Sequence, residues 1–445
     1  MTIVRATQVP TPDANEPSRL LRGLRPDGHA LTRDEHHQVH GALAVQHRNA
    51  DESIVALASA AGLRGRGGGG FPLASKLRSV RGASGRMRRP VVVVNGAESE
   101  PGSRKDAVLI ARSPHLVLDG AELVAVAVGA REITVWLHRG ARVQTRVLEA
   151  AIAERASHPL AKVRYHVVEG PARYVAGEAS ALAAHLSGGE AKPNMTPPRV
   201  AERGVADKPT LVSNAETLAH LALVARHGAQ WFRSLGTPDE PGTMLFTVIG
   251  AVVVPGVVEG AVGSSIGQIV AAAGGVTSRP SAILIGGYAG SWLSPDVADR
   301  LAYSAKALAQ VGAATGVGLV SVLPADACPV VETARLSAWL SSESAGQCGP
   351  CVRGLPALAG AAQSLSIGRG PQAAAAVNQL ARWAAMVDGR GACHHPDGVA
   401  QLVQSLLRSF PDEVARHAAG YSCPGVVTPS VLPLPVPERG GLAWR

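Results

Sequence analysis

The sequence predicts an α/β fold, in which an N-terminal α/β sandwich is followed by a small ββαβ module and a helical C-terminal region. Three observations carry this expectation. Short β-branched runs alternate with helical patterns between residues 90 and 216, the alternation that builds a sheet covered by helices. From Thr243 the texture changes to short strands and turns. Beyond Val330 the apolar spacing becomes helical, and Cys348, Cys351 and Cys393 lie there.

Taken in order, residues 1–30 are polar and proline-containing and read as irregular. Five histidines between His29 and His47 show no metal-ligand repeat and read as surface residues. A helix is expected over Asp51–Leu63, a buried strand over Pro90–Asn95, a helix over His115–Gly129 and a strand over Glu132–His138. Arg142–Arg155 reads as a helix and Val163–Glu169 as a strand. The long polar connection Gly188–Pro209 is of a length that is usually functional. Ser213 and Glu216 match a capping box for the helix that follows. The ββαβ module comprises Met244–Gly250, Gly256–Glu259, a helix near Ser265–Ala273 and Ala282–Ile285. Pro424–Arg445 reads as a loosely held tail. The expected boundaries are 1–240, 241–328, 329–423 and 424–445.

The 445 residues suffice for two to four domains, and 46% hydrophobic with 17% charged residues describes a folded chain. A net charge of +9 favours an acidic partner. The basic residues are scattered without interleaved aromatics, which argues against nucleic acid. Five cysteines, an odd number, do not form a disulfide framework. Early charges and no apolar core give no sign of a signal peptide. The uncharged stretches 242–258 and 307–325 are broken by Gly or Pro and read as buried strands and helices rather than membrane spans. A cytoplasmic protein with no transmembrane segment is expected.

The most informative stretch runs from Leu63 to Lys76. Gly67 to Gly70 lack Cβ atoms, so their N–H groups can approach a ligand closely. Pro72 suits the first position of a helix that would carry Lys76. Such a loop feeding a helix N-terminus is an anion cradle, with Arg64, Arg66 and Lys76 adding charge. A flexible linker explains the glycines alone, but not their flanks. No Gly-Lys-Ser/Thr follows, so it is not a Walker loop, and the helical segment before it fits a dinucleotide fingerprint poorly. A phosphate-bearing cofactor is the expected ligand. Cys348-Gly-Pro-Cys351 with Cys393 suits zinc or an iron–sulfur cluster. A thioredoxin-type pair and buried unligated thiols remain alternatives. Cys328 and Cys423 fit no spacing and read as bystanders.

Six motifs in order then carry a resemblance: Gly65-Arg-Gly-Gly-Gly-Gly-Phe-Pro72 with Lys76; Asn95-Gly-Ala-Glu-Ser-Glu-Pro-Gly102 with Lys105-Asp106; Pro114-His115-Leu116; Tyr174 to Leu182; Lys208 to Leu218; and Glu343 to Arg353. From about residue 50 to 417 the chain resembles the flavin subunit of respiratory complex I and the diaphorase subunits of NAD-linked hydrogenases and formate dehydrogenases. The resemblance implies an FMN-binding α/β domain, a ubiquitin-like β-grasp domain and a helical domain bearing a 4Fe–4S cluster. It implies hydride transfer from NAD(P)H or another donor to FMN. Electrons would pass through the cluster to a ferredoxin-like or thioredoxin-like iron–sulfur partner, in a multi-subunit redox complex that could sit peripherally on a membrane. Carried over by position, Arg64, Gly65, Gly67, Gly68, Phe71, Lys76, Asn95, Glu98, Tyr174, Gly177, Glu178, Ser213 and Asn214 would contact the cofactor. Cys348, Cys351 and Cys393 would bind the cluster. No side chain is implied as a nucleophile or other catalytic group.

The chain also departs from the family pattern. Ala97 stands where the family has aspartate, and Ala179 replaces the second carboxylate of Gly-Glu-Glu. Ser79 and Arg199 occupy the positions of two aromatics that sandwich the adenine end of NADH. Ala345 takes the slot of the first cluster cysteine, leaving one iron site to Ser344, His394, water or no ligand. The alternative implied by these losses is a degenerate, non-catalytic FMN-binding or assembly subunit without NADH turnover.

Overall fold

The computed structural model describes residues 4–6, 18–45, 50–85, 88–156, 162–195, 197–368, 370–421, 423–436 and 443–445. Val4–Ala6 (β1) pairs antiparallel with Leu43–Val45 (β2), so the stretch expected to be irregular contains a short strand. The central layer is a parallel sheet of Val91–Asn95 (β3), Glu132–His138 (β4), Arg164–Gly170 (β5) and Thr210–Asn214 (β6), in the order β5-β4-β3-β6. The four valines of β3 alternate across it. Val92 and Val94 enter the core shared with the Pro114–Val128 and Ala215–Arg233 helices, whereas Val91 and Val93 join Trp136 and Leu182. Both faces are therefore covered, as parallel sheets require.

Strand β6 returns to the side of β3 opposite β4. The crossing direction thus reverses at β3, and a crevice opens beyond the carboxyl ends of β3 and β6. Asn95 and Asn214 stand there in register, at the kind of switch point where α/β sheets take ligands.

The second sheet contains Thr243–Gly250 (β7), Gly256–Ala261 (β8), Ala282–Ile285 (β9), Ser291–Leu293 (β10) and Leu319–Leu323 (β11). Its order is β10-β9-β11-β7-β8, with the last strand central and parallel to the first. This is the β-grasp arrangement. The ββαβ reading lacked β10 and β11, which complete it. One face packs Phe246, Val248, Ile283 and Val320 against the Ile266–Ala272 helix. The other contributes Leu284, Leu319 and Leu323 to the core of the C-terminal helices Pro329–Ser342, Leu355–Ile367, Gly370–Val387 and His395–Ser409. Sheet and helices share one interior.

Four expectations need correction. His36 and His40 are buried rather than superficial, because the Arg33–His40 helix turns both inward one turn apart. His36 Nε2 lies 2.9 Å from Asp119, which also binds Arg155 at 2.7 Å and Arg226. Burial lowers His36 to about 4, so it is neutral at pH 7. His47 lies outside the described residues. Ser213 does not cap a helix: it belongs to β6, and Asn214 caps instead, accepting from Glu216 N–H at 3.0 Å. The described part of the tail is held. Leu432 is buried, the Pro433 carbonyl accepts from Tyr288 Oη at 2.7 Å, and the Pro435 carbonyl accepts from Trp339 Nε1 at 2.8 Å. Proline lacks an N–H but keeps its carbonyl, so a proline-rich segment can still dock. Arg66, assigned to the anion cradle, is buried and structural. Its guanidinium donates to the Pro241 carbonyl at 3.0 Å, and its backbone N–H donates to Thr217 Oγ1 at 2.8 Å.

Candidate functional site

A cavity of about 420 Å³ occupies the crevice beyond β3 and β6. Its wall joins four distant parts of the chain: the 95–106 loop with Gly67 and Asn214, the 174–178 turn with Asn194, Ala289 and Val317 of the β-grasp region, and Ala392 to His395 before the last long helix.

The local fold explains why these groups face one another. Asn95 Nδ2 donates to the Gly177 carbonyl at 2.9 Å, tying the end of β3 to the 174–178 turn. A Cβ on Gly177 would come within 2.4 Å of Ser99 Oγ, so the serine side chain can sit as it does only against a glycine. Gly68 adopts φ +101°, a conformation that L side chains rarely adopt.

The carboxylates of the acidic loop are engaged one by one. Glu98 accepts from Ser103 Oγ at 2.6 Å and from the N–H groups of Asp106 and Ala107 at 3.1 and 2.9 Å. It thereby satisfies the open start of the Lys105–Arg112 helix. Glu178 caps the Ala179–Leu186 helix, accepting from Ser180 and Ala181 N–H. Lys105 Nζ, fully buried, contacts Asp106 at 3.0 Å and Glu216 at 2.9 Å. Asn214 Nδ2 completes the cluster with a 2.7 Å bond to Asp106. Burial opposes ionisation of Glu216, but Lys105 and His220 more than offset it and hold the carboxyl down at about 2. For Asp106 burial wins over Lys105, and the group is pushed up to about 6.

Glu100 differs from its neighbours. Its Oε2 accepts from Tyr288 N–H at 3.0 Å and Tyr174 Oη at 3.4 Å, while Oε1 is buried with no partner among the described residues. Burial pushes it up to about 8, so it carries a proton at neutral pH. Tyr174 is held from behind: its N–H donates to Glu343 at 2.8 Å, and its ring meets Trp339 edge-on and lies 5.4 Å from His395. His395 Nε2 donates to the Leu340 carbonyl at 2.9 Å, and its buried Nδ1 has no partner among the described residues. Two unmet buried polar atoms on cavity-lining residues, beside the glycine loop, fit a polar cofactor there.

Cys348 and Cys351 bracket the entry to the π-helical turn Pro350–Gly354, and Cys393 lines the cavity. Burial first, then Cys348 and Cys393 as neighbours, raise Cys351 to about 11, against a hydrogen bond from Ser344. The three thiols are thus within electrostatic reach of one another, and their sulfur donors suit an iron–sulfur cluster. The pair follows a helix rather than a strand, so the thioredoxin context is absent. His394 points to solvent and bonds Asp397 at 3.0 Å, whereas Ser344 hydrogen-bonds Cys351.

Of the residues expected at the site, the cavity brings together Gly67, Asn95, Glu98, Tyr174, Gly177, Glu178, Asn214 and Cys393. Arg64, Gly65, Gly68, Phe71, Lys76 and Ser213 lie outside its lining. Pro72 is the N-cap rather than the first residue of Leu73–Ala83, and Lys76 donates to the Val212 carbonyl of β6 at 2.9 Å. Glu100, expected with Glu98 and Glu178 to shape the crevice and exclude water, lines the cavity, and Lys105, Asp106, Asn194 and His395 line it without having been singled out as site residues. The sequence signal available for Lys105 and Asp106 was their place inside the second motif.

Residues 58–223 match the Nuo51 FMN-binding domain, and residues 332–417 match the NADH-ubiquinone oxidoreductase-F iron-sulfur binding region. An F-type NADH-quinone oxidoreductase subunit of Rhizobium meliloti (strain 1021) is 30% identical over 419 residues, covering 91% of this chain and 98% of that one. NADH dehydrogenase (ubiquinone) flavoprotein 1, mitochondrial, of Dictyostelium discoideum is 30% identical over 369 residues, covering 80% and 76%. The crystal structure of an NAD+-reducing NiFe-hydrogenase in the H2-reduced state superposes with a TM-score of 0.74 at 29% identity. That match covers 83% of this chain and 63% of the hydrogenase chain. With near-complete coverage of a curated relative at this identity, the chain belongs to the family of F-type NADH-quinone oxidoreductase subunits.

Proposed function

We propose that this chain is the flavoprotein subunit of a redox complex, taking electrons from NAD(P)H at FMN and passing them through an iron–sulfur cluster to a partner carrier. One observation carries the reading: a single cavity is lined both by the 95–106 loop with Gly177 and Asn214 and by Cys393 of the cluster loop. A flavin held there would lie beside the cluster ligands. FMN, when bound, supplies the conversion of a two-electron hydride donor into single electrons. Gly67 and Gly177 allow close approach of the ligand, Asn95 and Asn214 offer amides at the strand ends, and Tyr174 closes the inner wall. Lys76 braces the Val212–Asn214 strand end from behind. Neutral Glu100 holds a proton without adding negative charge against the donor. Positioning, rather than acid–base catalysis, is the work of these side chains.

The basic chain suits an acidic ferredoxin-like or thioredoxin-like iron–sulfur partner, whose association would weaken as salt rises. Among the described residues no helix is long and apolar enough to cross a membrane, consistent with a peripheral position in such a complex. Ala97 on the cavity wall and Ala345 beside the thiols favour a second reading, an FMN-binding subunit without NADH turnover.

An absorption spectrum of anaerobically purified protein, followed by addition of NADH or NADPH, tests both. Flavin bands with iron–sulfur absorbance, bleached by a pyridine nucleotide, are expected. A yellow protein bleached by neither nucleotide supports the second reading. A colourless protein that takes up no added FMN overturns both.

A further inference from the structure

Cys328 and Cys423, which no spacing rule connected, meet at a second cavity of about 320 Å³ that shares no residue with the first. Cys328 caps the Pro329–Ser342 helix and is buried. Glu413 and His417 lie one turn apart on the Pro411–Ala418 helix, and Cys423 precedes the short Pro424–Val426 turn. The four donor atoms all lie within 4.8 Å of one another. Cys328 Sγ is 3.3 Å from His417 Nε2 and 3.7 Å from Glu413 Oε1, and His417 Nε2 is 3.6 Å from that same oxygen. A tetrahedral zinc ion with ordinary bond lengths has donor–donor edges of roughly 3.3–3.8 Å.

The surroundings are arranged as a metal site requires. His417 Nδ1 donates to the Leu365 carbonyl at 3.2 Å, which leaves Nε2 unprotonated toward the cavity. Glu413 turns its other oxygen to Arg416 at 3.1 Å. Gly425 lets the segments close: a Cβ there would sit 3.0 Å from Cys328 Cβ and 3.4 Å from Cys423 Sγ.

We propose that Cys328, Glu413, His417 and Cys423 bind one structural zinc ion, clasping the C-terminal segment to the start of the Pro329–Ser342 helix. Two thiolates, one imidazole and one carboxylate form a closed four-ligand set of the borderline-soft kind that zinc prefers. Binding releases the two thiol protons and leaves one net negative charge, which Arg416 faces.

Elemental analysis of the full-length protein, purified anaerobically and passed through a desalting column, tests this. About one zinc per chain is expected. It should persist in a Cys348→Ser/Cys351→Ser/Cys393→Ser variant, which separates it from metal at the cluster thiols, and disappear in Cys328→Ser. Glu413→Gln, at a half-buried position, should retain the fold and weaken zinc by roughly ten- to a hundred-fold against a chromophoric chelator. Cobalt substituted for zinc should give tetrahedral d–d bands with a sulfur charge-transfer band that Cys423→Ser abolishes. If Cys328→Ser does not fold, the chelator competition and the cobalt spectrum still decide. Zinc content and affinity untouched by these substitutions, no tightly held zinc at all, or two thiols that titrate only after reduction (a Cys328–Cys423 disulfide) would each overturn the assignment.

Discussion

Gly177 and Glu100 show how single positions shape the cavity. Replacing Gly177 with Ala puts a methyl against Ser99 Oγ, and the Ser99 side chain has to turn aside. FMN content of the purified Gly177→Ala protein is expected to fall modestly, because Ser99, which lines the cavity, must take another rotamer. Adding Ser99→Ala, which removes the clashing oxygen, should restore much of it; unchanged content in the single variant would show that the approach is not needed. Glu100 makes a pH prediction. Its folded value of about 8 lies above the ordinary 4.5, so its contribution to stability is intact below 4.5 and is lost as pH rises through 8. Denaturant titrations across that window should show wild-type stability declining with pH more steeply than that of Glu100→Gln. Parallel curves would place the ionised form in the native state.

At the level of elements, the start of the Lys105–Arg112 helix and the end of β6 are bound through Lys105, Asp106, Asn214 and Glu216. Lys105→Met leaves two carboxylates buried without the ammonium they share, and loss of one partner of a buried pair costs about 3–5 kcal/mol. Chemical denaturation should show a loss of that order, with a smaller one for the double variant Lys105→Met/Glu216→Gln. Glu216, held at about 2 against an ordinary 4.5, stabilises the fold above 4.5, and that stabilisation is lost as pH falls toward 2. Asp106, raised to about 6, acts in the opposite sense between 3.8 and 6. These elements were legible because their residues obey local rules: the valines of β3 and the helix 142–155 carry their own period. The role of Glu216 was not. A carboxylate three residues after a serine looks like a cap in one dimension, and only the pairing of β3 with β6 brings it to Lys105.

Across the whole molecule, the three-part architecture and the crevice followed from the order of motifs. Features fixed by long-range contact did not. Leu432 is the plainest case: nothing in a proline-rich tail announces that one leucine fills the interior shared by the β-grasp sheet and the helices. Deleting residues 429–445 should lower stability by about 2–3 kcal/mol, the value of burying one large apolar side chain, read as a shifted denaturant midpoint. An unshifted midpoint would mean the segment docks without stabilising.

The cavity also constrains how the protein comes into being. Gly67 and His395 face the same space, so no nascent fragment ending before His395 possesses the pocket. Although amino-terminal strands can fold while the ribosome is still working, the whole pocket closes only after His395 has emerged.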